Sequence, residues 1–254
     1  MRRLLCVGVT CAGATVALGA AVAQPARADA PLTLRPLGAH GPLANERLSD
    51  ERRLTRYANP VAQVAIRRRP RGESPRVARL RYQTEDGPLE VYPVLESRVD
   101  RAGRTWLRVR VPMRPNGRTG WVRRQALGPL HAIRTALRVN RRTLRATLYR
   151  DGRRIWTSPI GVGAPSTPTP SGRFWIRTRM RALGGGTIYG PYAFGTGAYS
   201  VLSDWPGGGV VGIHGTNQPQ LIPGRPSHGC IRVPNPKILR LAQLMPIGTP
   251  VRIL

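Results

Sequence analysis

Cys230, His214 and His228 are the residues of this chain whose types and spacing could do covalent chemistry. A thiolate is the useful form of a cysteine, and a neutral imidazole that takes its proton makes it available near neutral pH. His228 stands two residues before Cys230 in SHGCIRVPN, Ser227 to Asn235. At that spacing the two side chains share a face if the segment is extended and diverge if it turns. His214 ends VVGIH, where Val210, Val211 and Ile213 predict a buried strand that would hold an imidazole rigidly at its terminus. It is therefore the better candidate base. His40 and His131 fall in stretches that read as linkers. Gly229, directly before the thiol, lets backbone amides approach an acyl oxyanion closely.

Other chemistries are poorly supplied. Beyond residue 128 the carboxylates are Asp151 and Asp204, far apart and both in turn-like contexts, which argues against paired-carboxylate hydrolysis and carboxylate-rich metal sites. His214, His228 and Cys230 with a water could satisfy a catalytic zinc, but no second cysteine or nearby carboxylate completes or orients that set. The bland alternative is a buried inert cysteine with satisfied core histidines, against which Gly229 counts. No cofactor is expected.

IHGT, Ile213 to Thr216, followed after a Pro/Gly loop by SHGCIRVPN, resembles the signature of the L,D-transpeptidase catalytic domain of the YkuD type. The similarity extends to TPTPSG before a strand, to YGPYAFG at Tyr189 to Gly195 and to the closing IGTPVRIL, about the last 120 residues in all. That resemblance implies a β-sandwich-like domain acting on peptidoglycan stem peptides, with Cys230 as nucleophile and His214 as general acid/base. It implies that the Gly215 carbonyl holds the imidazole tautomer, and that His228, Gly229 and Cys230 line the oxyanion site with backbone amides. Ser227 and Arg232 would bind substrate and shape the pocket. Val233 stands where methionine is common in the family, a small departure. The resemblance implies transfer of an acyl group from Cys230 to an amine, cross-linking the wall. The same residues would make an L,D-carboxypeptidase if water replaced the amine, and a non-catalytic wall-binding protein is the alternative of another class.

The elements that must position these residues read as mainly β. The 25 prolines and 29 glycines imply many turns and few long helices. Residues 1–30, MRR followed by an uncharged run and ARADA, read as a cleaved secretory signal, an uncleaved anchor being the rival, so an extracytoplasmic place is expected. Cys6 and Cys11 lie in that segment, leaving Cys230 as the one thiol of the mature chain. Residues 31–58 read as a linker or arm. Residues 59–128 hold five short β-rich runs, among them TWLRVRVP with Leu107, Val109 and Val111 alternating with arginine. With Trp106 and Trp121 flanking the Asn116-Gly117 turn, this part resembles bacterial SH3-like modules. Residues 129–254 would form the catalytic domain. Strands flank an Asp151-Gly152 turn, and a helix begins at NPKILRLAQL, capped by Asn235, with Ile238, Leu241, Ala242 and Met245 on one face.

The net charge of +29 favours polyanionic surroundings. Export argues for anionic wall polymers or membrane surfaces rather than nucleic acid. One lysine, Lys237, accompanies the arginines, so codon bias of a GC-rich genome accounts for part of the excess. A monomer is expected.

Overall fold

The computed structural model describes residues 45–181, 187–204 and 206–254. The expected signal, residues 1–30, and the first part of the expected arm lie outside them. Among the described residues no helix is long and apolar enough to cross a membrane.

The first sheet comprises β1 (Glu46–Arg47), β2 (Thr55–Ala58), β3 (Ala65–Arg67), β4 (Arg76–Arg79), β5 (Tyr92–Val99), β6 (Thr105–Arg110), β7 (Thr119–Arg123) and β8 (His131–Ile133). Its order is β4-β3-β7-β6-β5-β2-β8, with β1 also beside β5. Every pairing is antiparallel. Leu107, Val109 and Val122 are fully buried with Ile66, Leu80 and Val94, as the period-two alternation requires. The five runs expected from sequence are β3 to β7. The structure adds β2 from the expected arm and β8 from beyond residue 128, so the sheet reaches past both ends of the 59–128 segment. The pairings of β2 with β5 and β8 are non-local and leave no local pattern to read.

The second sheet comprises β9 (Thr135–Asn140), β10 (Arg145–Arg150), β11 (Arg153–Pro159), β12 (Gly161–Gly163), β13 (Gly172–Arg181), β14 (Tyr192–Tyr199), β15 (Val210–His214), β16 (Gly224–Ser227), β17 (Ile231–Arg232) and β18 (Pro250–Ile253). The order is β11-β10-β9-β18-β13-β14-β15-β17-β12-β16. Asp151 and Gly152, at φ 52° and 81°, make the expected tight hairpin between β10 and β11. β13 is shared between two halves: Gly172 to Trp175 pair with β18, and Ile176 to Arg181 with β14. The core lies around Leu148, Phe174, Ile176, Phe194 and Ile213, closed by Ile238, Leu241 and Ala242 of α1 (Asn235–Leu244).

Asn235 does not cap α1. Pro234 occupies that position with no side-chain cap, while Asn235 Oδ1 accepts the Thr216 amide at 2.8 Å. The amide oxygen is thus taken by the loop after His214, a partner that the helix sequence alone cannot announce.

One face of β13 forms the junction between the sheets. Arg173, Trp175 and Arg177, two residues apart and so on the same side of the strand, reach Glu51, the Val91 carbonyl and Glu90 respectively. Glu51 also takes Arg110 of β6 in a two-pronged pair, so residues of the expected arm are welded into the structure. Trp175 buries its ring with Tyr57, Val91 and Ile133.

Candidate active site

The two halves of the sequence signature meet because β15 and β17 run side by side in parallel, Ile213 opposite Ile231 and His214 opposite Arg232. This register sets the end of the VVGIH strand against the end of the SHGC turn. His214, Ser227, His228, Cys230 and Arg232 line one cleft, joined by Ile188, Tyr189, Ser200 and Val210.

His214 is held on two sides. Its Nδ1 donates to the Gly215 carbonyl at 2.6 Å, and since a carbonyl only accepts, the proton sits on Nδ1 and the lone pair on Nε2. Tyr189 meets the ring edge-on, centroids 5.0 Å apart. The carbonyl itself is fixed by a close approach: at Gly190, φ 63°, a Cβ would strike Gly215 Cα at 2.6 Å and Asn235 Oδ1 at 2.5 Å. No side chain fits there, which accounts for Gly190 of YGPYAFG and Gly215 of IHGT.

The Cys230 turn is built by hydroxyls. Ser227 Oγ donates to the Cys230 carbonyl at 2.6 Å and accepts the Gly229 amide at 3.2 Å, closing the turn on itself. Gly229 adopts φ 124°, a left-handed conformation that favours glycine, and its carbonyl receives Thr169 Oγ1 at 2.8 Å. Thr169 in turn accepts the Gly163 amide at 2.8 Å, which is the work of TPTPSG: a buried threonine tying β12 to the Cys230 turn. The half-buried thiol accepts the Gly212 amide at 3.3 Å.

Electrostatics set both partners neutral near pH 7. Burial lowers the His214 pKa to about 4, and the nearby Arg232 charge pushes the same way against the Gly215 hydrogen bond. Burial raises the Cys230 pKa, opposed by the Gly212 N–H and by Arg232. Arg232 donates from one terminal nitrogen to Gln218 at 2.9 Å, while its buried Nε has no partner. Among the described residues no three His, Cys, Asp or Glu side chains gather as a metal would need.

The residues named from sequence are therefore brought together, with distinctions among them. His228 is exposed at the rim, whereas His214 is buried. The Ser227 hydroxyl is engaged within the turn, so it shapes the site rather than facing a ligand. The Gly229 N–H is donated to that same hydroxyl, which reserves it within the turn. Gly212, Thr169, Ser200 and Asn235 were missed. Gly212 left a signal in standing two residues before His214 and so sharing its face of the strand, and Thr169 and Asn235 lie within the quoted TPTPSG and SHGCIRVPN stretches.

Residues 134–253 match the YkuD family model, the L,D-transpeptidase catalytic domain. Over 121 residues the chain is 43% identical to "Putative L,D-transpeptidase YkuD" of Bacillus licheniformis, covering 47% of this chain and 64% of that protein, just under two thirds of its length. Over 124 residues it is 31% identical to the similarly named YqjB of Bacillus subtilis, covering 45% of this chain and 68% of that one. An Enterococcus faecium L,D-transpeptidase is a structural neighbour at 27% identity and TM-score 0.39, covering 47% of this chain and 49% of its own. Matched by the family model over residues 134–253 and by a relative of which it covers more than two thirds, this chain belongs to the YkuD family of L,D-transpeptidases.

Proposed function

We propose that the protein is a peptidoglycan L,D-transpeptidase in which Cys230 is the nucleophile and His214 the general acid/base. The observation that carries this reading is the His214 Nδ1–H donated to the Gly215 carbonyl, which leaves Nε2 as a proton acceptor in the cleft that Cys230 also lines. Neutral partners favour general-base chemistry over a standing thiolate: the thiol loses its proton to Nε2 as sulfur attacks.

The donor is a stem peptide, attacked at the carbonyl of the L-centre of its third residue. The Cys230 S–C bond forms and the carbonyl oxygen becomes an oxyanion held by backbone amides of the nucleophile's turn. With the Gly229 N–H donated to Ser227, the Cys230 N–H is the first candidate. As the peptide C–N bond breaks, His214 returns its proton to the departing D-alanine amine, leaving a thioester. An acceptor amine then attacks, gives its proton to Nε2, and the S–C bond breaks with the proton returning to sulfur. The interpeptide bond is made from the energy of the bond broken, so no ATP is required. Arg232, with a charged head beside the cleft, suits an anionic group of the substrate.

The secretory pattern of residues 1–30 supports work outside the cytoplasm, in the periplasm or wall. The all-antiparallel first sheet is compatible with an SH3-like wall module, and the surplus of arginine with anionic wall polymers around it.

Incubation with disaccharide-tetrapeptide followed by mass spectrometry tests the reading. Dimer is expected. Trimmed monomer instead would make water the acceptor and the protein an L,D-carboxypeptidase; neither product, with no carbapenem adduct, would leave a wall-binding protein. Cys230→Ala should abolish product and adduct alike.

A further inference from the structure

One wall of the cleft is gripped from the other module. β14 ends at Tyr199, and the chain beyond it contributes Ser200, Gly209 and Val210 to the cleft. Asn116, in the β6–β7 loop, pairs with Tyr199 as a neighbouring strand would: its Nδ2 donates to the Tyr199 carbonyl at 2.8 Å and its Oδ1 accepts the Tyr199 amide at 2.9 Å. Arg114, two residues earlier, donates to three carbonyls, those of Ser200 at 3.0 Å, Leu202 at 2.9 Å and Gly208 at 3.0 Å. Its guanidinium also lies 4.8 Å over the Tyr199 ring. The Tyr199 hydroxyl donates to Glu85 of the same module at 2.7 Å.

The far side of this segment touches the nucleophile's turn. Ser200 donates its amide to the Gly209 carbonyl at 2.8 Å and its hydroxyl to the His228 carbonyl at 3.0 Å. A Cβ on Gly229 would meet Ser200 Oγ at 3.1 Å, so the serine packs on the turn as well as bonding to it. A continuous run of contacts leads from Arg114 and Asn116 through Tyr199 and Ser200 to His228 and Gly229, the two residues directly before Cys230, whose N–H is the candidate oxyanion donor.

The three carbonyls are reached from two nitrogens of one rigid plane, Gly208 from one and Ser200 and Leu202 from the other, a separation that a guanidinium has and the single nitrogen of an ammonium lacks. Gly208 and Gly209, both at positive φ, have no side chains of their own to hold that conformation. The segment holds itself by the Ser200 amide on the Gly209 carbonyl and the Leu202 amide on the Ser200 hydroxyl, and Arg114 adds three bonds from outside.

We propose that Arg114 and Asn116 are positioning residues for acyl transfer: the β6–β7 loop of the N-terminal module fixes the Ser200 wall and, through it, the turn that carries Cys230. The kinetic consequence rests on the transpeptidase reading; the structural coupling does not.

The test uses the full chain with Arg114→Ala, Arg114→Lys and Asn116→Ala, the last keeping the proposal testable if the arginine variants fail to fold. Backbone hydrogen exchange read by mass spectrometry should rise about 10-fold or more in peptides covering 199–204 and 227–231, and stay unchanged in β9 to β11. Carbapenem acylation should slow by about 10-fold while the constant for initial binding moves by less than about 2-fold, because a misplaced turn impairs the reacting geometry more than occupancy. Arg114→Lys should fall well short of the parent, since one ammonium nitrogen cannot stand where both terminal guanidinium nitrogens do, one on Gly208 and the other on Ser200 and Leu202. Exchange at 227–231 equal to the parent's in every folded variant would overturn the proposal, as would full rescue by lysine. If the parent never acylates yet exchange responds to the variants, the coupling stands and the transpeptidase reading falls.

Discussion

Glu90 and Arg177 form a buried pair across the junction of the two sheets, the arginine 2% exposed and the glutamate fully enclosed. Arg177 Nε donates to Glu90 Oε1 at 2.9 Å, and its terminal nitrogen to Oε2 and to Glu85 at 2.9 Å. Burial works to lower the Arg177 pKa, but the hydrogen bond and charge of Glu90 outweigh it and keep the guanidinium ionised.

Removing the Glu90 charge leaves buried Arg177 to be compensated by Glu85, which is itself partly exposed. Glu90→Gln should therefore destabilise the fold by about 3 kcal/mol, read as a fall in melting temperature by calorimetry. A variant melting within a degree or so of the parent would mean that the junction is wet or that the pair adds nothing.

Glu85 gives stability a pH signature. Burial works to raise its carboxyl pKa, but the Tyr199 hydrogen bond and the Arg177 and Arg81 charges bring it down from 4.5 to about 2. A carboxyl depressed in the fold stabilises fully above the unfolded value and loses that contribution as pH falls from 4.5 through about 2. Denaturation midpoints should drop over this window, and Glu85→Gln should flatten the drop. Identical acid profiles for parent and variant would refute the assignment.

His214 should set the acid limb of acylation. The sequence alone places that limb near neutral pH; burial moves it to about 4, where the imidazole is protonated. Carbapenem acylation measured from pH 3 to 8 should hold its base-dependent plateau down to about pH 5. His214→Ala should cut the plateau by about 10²-fold, while His228→Ala retains turnover. A limb at 6 to 7, or a dead His228→Ala with an active His214→Ala, would reverse the roles.

Gly212 keeps a space open between His214 and Cys230. A Cβ there would lie 3.5 Å from His214 Cδ2 and 3.7 Å from Cys230 Sγ, ordinary contact for one carbon and too close for more. Gly212→Ala should stay active, whereas the γ-methyls of Gly212→Val should separate base from sulfur and cost about 10²-fold in acylation at unchanged folding, checked by circular dichroism. Comparable rates for the two variants would show that the gap has no part in catalysis.

The sequence determined the chemistry and the local elements. A lone thiol beyond residue 30, a histidine closing a β-branched strand, the alternation at Leu107 and Val109 and the Asp151-Gly152 turn each depend on neighbours a few residues away, and such signals survive in one dimension. Tertiary structure decided what far-apart residues do to one another. Arg177 carries a charge and is nonetheless buried, because Glu90 arrives from another sheet to neutralise it. Asn235 reads as a helix cap, yet its oxygen goes to Thr216 because β15 ends beside α1. Burial set the protonation of His214 and Cys230 as well, since desolvation depends on everything packed around a group, whatever its neighbours in sequence.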